Sequence, residues 1–204
     1  MSLIKVLVLH LLACSVHARE SFHKTRDTSK LAAPKCQVQT GTSPPQFQPN
    51  LSNPTAGDVT NAALAFLNDV CTVDSFLNHP VGGPTSVDTA VAHAEDEPVQ
   101  LKTLASVVGL TKAGKDAVAA LEANFPLVPG NLINLQKGKT SAEVATIGIN
   151  LVRCCIVLPA IDTLVKDASA ITGAFSNVTI PEPVYPIPCS SINCASGASP
   201  GATA

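Results

Sequence analysis

Two cysteines, Cys154 and Cys155, stand side by side in the most apolar stretch of a 204-residue chain. Neighbouring Cα atoms lie about 3.8 Å apart, below the usual span of a disulfide, so this pair is not expected to bridge itself. Each sulfur must then find a partner elsewhere. A helix carrying both becomes a post to which two other segments are stapled.

The remaining cysteines fit an exported chain. Residues 1–18 read as a secretory signal: Lys5, an apolar run Val6–Val16 broken by His10 and Ser15, then small or modest residues at Val16 and Ala18. Cys14 falls inside that signal. Six cysteines remain, Cys36, Cys71, Cys154, Cys155, Cys189 and Cys194. An even count behind a signal implies disulfides, at most three, among 15 connectivities. Cys189 and Cys194 either close a local loop or each anchor the tail to the body. Asn50 and Asn177 open N-glycosylation acceptor triplets in proline-rich flanks. The expected localisation is secreted and extracellular, as a glycoprotein.

Four regions follow from composition. After the signal come residues 19–57, first basic (net +3 over Arg19–Lys35) and then proline-rich and extended. Residues 19–35 are a flexible terminus or a pro-segment. Residues 58–175 carry helical periodicity. Residues 176–204 form a proline-rich tail containing Cys189 and Cys194. No terminal apolar stretch suggests a glycolipid anchor.

The helical stripes are legible. Val59, Ala62, Ala63, Phe66, Leu67, Val70, Val73 and Leu77 fall on one face of a helix capped by Asp58. A second helix starts at Thr85 with Asp88 completing a capping box; Pro98 breaks or kinks it, and the pattern resumes to Gly109. Thr111 caps a third, ended by Pro126, and Leu132–Gln136 reads as a short helical turn. The longest begins at Thr140 and places Val144, Ile147, Leu151, Cys154, Cys155, Leu158, Ile161 and Val165 on its stripe, with a kink expected at Pro159. Asn150, Arg153 and Asp162 interrupt that stretch, which favours a buried central helix over a membrane span. The predicted fold is all-α: a disulfide-stapled bundle of four to five amphipathic helices with proline-rich extended arms.

Little catalytic chemistry is written here. The sharpest polar cluster is His93, Glu95, Asp96 and Glu97. It reads as a solvated acidic face near a helix end, or as an acid/base or metal site. Zinc-deaminase spacing is not met, because Cys189 and Cys194 are five positions apart. There is no Gly-x-Ser-x-Gly and no glycine-rich phosphate loop. A formal charge of −2 and 3% aromatic residues leave neither a basic face nor a stacking platform for nucleic acid.

Segments such as Asn61–Leu67 and Ala160–Lys166, rich in Ala, Leu and Thr and nearly without aromatics, give Asp58–Gly173 a compositional flavour. In that flavour the chain resembles the fungal hydrophobic-surface-binding proteins and similar small secreted helical proteins. The resemblance carries over no functional residue. Together these readings predict a secreted, non-enzymatic binding protein for an apolar surface or a lipid-like ligand, without cofactor and without transmembrane anchor. The alternatives are a hydrolase or metal-dependent enzyme using the His93/Glu95 region, and an effector that binds an extracellular protein.

Overall fold

Thr55 begins the first helix. Its side chain accepts from the Asp58 backbone, and the Asp58 carboxylate accepts from the Thr55 backbone, at 3.2 and 2.8 Å. Asp58 is therefore the third residue of a capping box and not the cap itself. Such a cap contributes about 1 kcal/mol and starts α1, Ala56–Asn78. The structure, a computed structural model, describes residues 35, 37–44 and 51–194. The signal, most of the basic leader, Cys36, Asn50 and the end of the tail lie outside the described residues.

The other α-helices are α2 (Val87–Ala105), α3 (Lys112–Asn124), α4 (Leu127–Gln136), α5 (Ala142–Val152) and α6 (Leu158–Thr172). A π-helical turn, Arg153–Val157, joins α5 to α6, and a 3-10 turn occupies Ile187–Ser191. The described residues are mostly helical, with no strand among them.

Several boundaries depart from the sequence reading for local reasons. Ser86, not Thr85, caps α2; the Thr85 hydroxyl instead donates to Ser75 at 2.8 Å. Ser141, not Thr140, caps α5. Helix α2 runs unbroken through Pro98, packed along α1, so tertiary packing outweighs one missing backbone donor. Pro129 falls in the first turn of α4, where a proline leaves no extra carbonyl unpaired, so that helix starts five residues earlier than expected. The stop after α1 is steric as well: a Cβ on Gly83 would land on the His79 carbonyl. Gly173, at φ 74°, ends α6 in the left-handed conformation.

Helices α1 and α2 pack along each other, α3 packs on α6, and α4 on α2 and α5. Two apolar cores result. One holds Val59, Phe66, Leu104, Leu121, Phe125, Ile161 and Leu164, with the Phe66 and Phe125 rings 5.6 Å apart. The other holds Val73, Phe76, Leu77, Ala90, Leu132 and Ile149. Helices α1 and α2 and the α5–α6 rod each contribute to both. Where they change from one core to the other, their buried residues are polar: Asp69 and Asp74, His93 and Glu97, Arg153.

The π-turn sits at that same level. Pro159 has no backbone N–H for the Cys155 carbonyl, and the Leu158 N–H reaches back to Arg153 instead. The kink expected at Pro159 is thus taken up as one widened turn. The extra residue shifts the face of the rod. Leu158, Ile161 and Val165 are buried, but upstream the interior takes Ala145, Ile149 and Val152. Val144 and Ile147, assigned to the buried stripe, are each 63% exposed.

Candidate functional site

The cysteine post exists. Cys154 bonds Cys189 and Cys155 bonds Cys194, with Cα separations of 5.4 and 5.2 Å. Both therefore anchor the tail, and neither closes a local loop. Cys71 is disulfide-bonded as well. These linkages belong to an oxidising compartment.

The polar cluster of α2 is divided by the helix. Glu95 is exposed, and Asp96 is half-buried, accepting from Gln100 at 2.8 Å. His93 and Glu97, one turn apart, face inward and are fully buried. The acidic run is thus not one solvated face, and the structure does not bring the four residues together as a site. They sit in the middle of α2, not near its end. Among the described residues no group of three or more His, Cys, Asp or Glu is placed to hold a metal ion.

Inside, His93 Nδ1 lies 2.6 Å from Asp69 Oδ1, and Nε2 lies 3.1 Å from the Gly41 carbonyl. Both ring nitrogens face acceptors. Two arrangements satisfy them: an imidazolium against a carboxylate, or a neutral ring against a protonated Asp69. Burial pushes the Asp69 carboxyl up to about 7 against the pull of His93. Burial alone would lower His93, but its hydrogen bond to Asp69 and that group's charge outweigh it and raise the imidazole.

Arg153 forms the second half of the layer. It donates to Glu97 Oε1 at 2.9 Å, to Asp74 Oδ1 at 3.0 and 3.2 Å, and to the Val70 carbonyl at 3.3 Å. Burial drives Asp74 up to about 7 despite this guanidinium, and raises Glu97 too. One cation cannot hold two buried carboxyls fully ionised. The layer is nearly closed to solvent; its most exposed member is Asp74, at 4%, which borders a shallow recess shared with His79. Sequence reading noted Arg153 only as an interruption. Asp69 and Asp74 passed unremarked because both occur within a long amphipathic stripe.

The open site lies elsewhere. A groove of about 560 Å³ runs between α5, the turn after α1 and the disulfide-held 3-10 turn. Leu77, Val81, Ile147, Leu151, Pro188 and Ile192 give it an apolar wall. Val81 is 81% exposed, an unusual position for a valine with no partner. The Ile147 and Leu151 contribution follows from the shift at the π-turn. A second recess of about 440 Å³, beside Pro98 and Phe125, is bordered by Lys102 and Glu122 and is more polar.

Asn177 is exposed, as a glycan acceptor must be. Comparison with known protein families, with curated proteins and with solved structures finds no match for this chain.

Proposed function

We propose that this chain is a secreted, non-enzymatic binding protein that holds a lipid-like molecule or an apolar surface in the groove beside α5. The observation that carries this reading is the groove itself. Its volume of about 560 Å³ falls in the range of small-molecule sites, its walls are predominantly apolar, and Val81 and Ile147 stand exposed at it. An apolar patch left open on a small exported protein marks a contact with something apolar. The compositional resemblance to hydrophobic-surface-binding proteins supports the same class of ligand, and a bundle of four to five helices with extended arms is a suitable frame for it.

The apolar leader and the disulfides in the body support the secreted reading. The rod Ala142–Thr172 is long and apolar enough to cross a membrane by length and composition, with a window of mean hydropathy 2.0. We read it as the core helix, because 56% of that window is buried and it carries Arg153 paired to α1 and α2. The enzymatic alternative draws less support from the His93/Glu95 region, since His93 and Glu97 are buried while Glu95 is exposed.

Burying 200–300 Å² of apolar ligand surface yields a gross ~5–8 kcal/mol before association costs, which implies micromolar or weaker affinity. Titration of the neutral dye Nile red into the disulfide-bonded protein tests the reading. Wild type should enhance and blue-shift its fluorescence, and Ile147→Asp should weaken binding at least tenfold. A wild type that does not bind dye, or an unaffected Ile147→Asp protein, refutes it.

A further inference from the structure

The groove is not uniformly apolar, and its few polar atoms define a headgroup. This step rests on the binding reading above. Glu143 stands in the lining, exposed, and places a carboxylate beside the groove; no Lys, Arg or His among the described residues lines it. A lipid carboxylate would meet an unbalanced negative charge and no cation. Its desolvation in an apolar recess would then be uncompensated.

One lining residue asks for a partner. Asn150 is 2% exposed, and its Oδ1 makes no hydrogen bond among the described residues. A buried carboxamide with an unpaired oxygen is costly to leave so, by about 1–3 kcal/mol. A hydroxyl both donates and accepts, so it meets either end of an amide. The neighbouring Thr146 hydroxyl is already committed, donating to the Ala142 carbonyl at 2.7 Å. Oδ1 itself is closed over, so a headgroup oxygen meets the Asn150 carboxamide at its amide end or once the side chain turns. At about 30 Å³ per heavy atom, the share a water takes in the liquid, the groove's volume of about 560 Å³ holds on the order of 18 heavy atoms.

We propose that the groove takes a long-chain neutral alcohol, its hydroxyl paired with Asn150, in preference to the corresponding fatty acid anion. Displacement of bound Nile red by 1-dodecanol and by dodecanoate at pH 8 tests this. Wild type should release the dye at an at least tenfold lower concentration of the alcohol. Glu143→Gln should narrow that ratio at least threefold by improving dodecanoate and leaving 1-dodecanol unchanged. Asn150→Leu should weaken 1-dodecanol at least fivefold while dye still binds. Because Asn150 is buried and its variant can misfold, Glu143→Gln, on the surface, decides alone if it must. Equal displacement by alcohol and anion in wild type, or an unchanged ratio in Glu143→Gln, overturns the neutral-alcohol assignment while leaving the carrier reading intact. Absence of dye binding by wild type overturns both.

Discussion

Replacing Arg153 with methionine removes the cation paired with Asp74 and Glu97 among the described residues and keeps a side chain of similar length. Four donor contacts vanish: one to Glu97, two to Asp74 and one to the Val70 carbonyl. Removing one partner of a buried ion pair costs about 3–5 kcal/mol, because the charge left behind has neither water nor counterion. Here the penalty depends on pH. Asp74 already titrates near 7 with the guanidinium present, and Glu97 is also raised. Without it both carboxyls climb further and fold as neutral acids in mild acid. Arg153→Met should therefore cost about 3–5 kcal/mol at pH 8 and markedly less at pH 5. Replacing all three together, Asp74→Leu, Glu97→Leu and Arg153→Met, should be close to neutral, since no charge remains to be desolvated. Urea unfolding followed by far-ultraviolet circular dichroism, with disulfides kept intact, measures each case. A loss below 1 kcal/mol at pH 8, or an equal loss at both pH values, would show that the layer is not closed to water and that the argument is wrong.

Three further outcomes follow from the same geometry. The native protein should melt at a higher temperature at pH 4.5 than at pH 8: Asp69 and Asp74 are raised from 3.8 to about 7, so their contribution is full below about pH 4 and is lost as pH climbs to 7. The raised His93 adds in the same direction, and a melting temperature that increases across this range would contradict the assignment. His93→Leu should speed amide exchange at Gln37 and Gln39, whose N–H groups bond Asn68 and Thr72, because the same strand of chain is pinned by the His93–Gly41 contact at 3.1 Å; unchanged protection would dissociate the two. Alkylation without reductant should label no cysteine of the secreted protein, and peptide mapping should recover Cys154 joined to Cys189 and Cys155 joined to Cys194; labelling of two or more thiols would end the three-bridge scheme.

The α1 stripe was readable because nothing disturbs its period: Val59, Ala62, Ala63, Phe66, Leu67, Val70, Val73 and Leu77 are all buried. The α5–α6 rod misleads because periodicity assumes a constant 3.6 residues per turn, and the π-turn inserts a residue midway. A stripe drawn straight through puts Val144 and Ile147 inside, and they are outside. That slip hides the groove, since Ile147 and Leu151 line it only after the face has rotated. The polar layer was hidden for a different reason. Asp69, His93 and Arg153 are 24 or more positions apart, and hydropathy along one segment carries no information about a charge arriving from another. His93 and Glu97 were visible as polar residues, yet whether such a residue faces water or a buried guanidinium depends on a helix that follows about 55 residues later.

Cys189 and Cys194 fasten the tail at two points, and the chain between them forms part of the groove wall. Ser190, Ser191 and Asn193 in that bracket are exposed. A protease that nicks the backbone there would detach nothing: the upstream end stays held through Cys154 and the downstream end through Cys155. The mass would change by one water, and the species would co-migrate with intact protein until a reductant was added. The wall, however, would lose its continuous backbone and could swing on two separate hinges. Such a nick would turn a fixed rim into a pair of flaps and leave the helical body untouched.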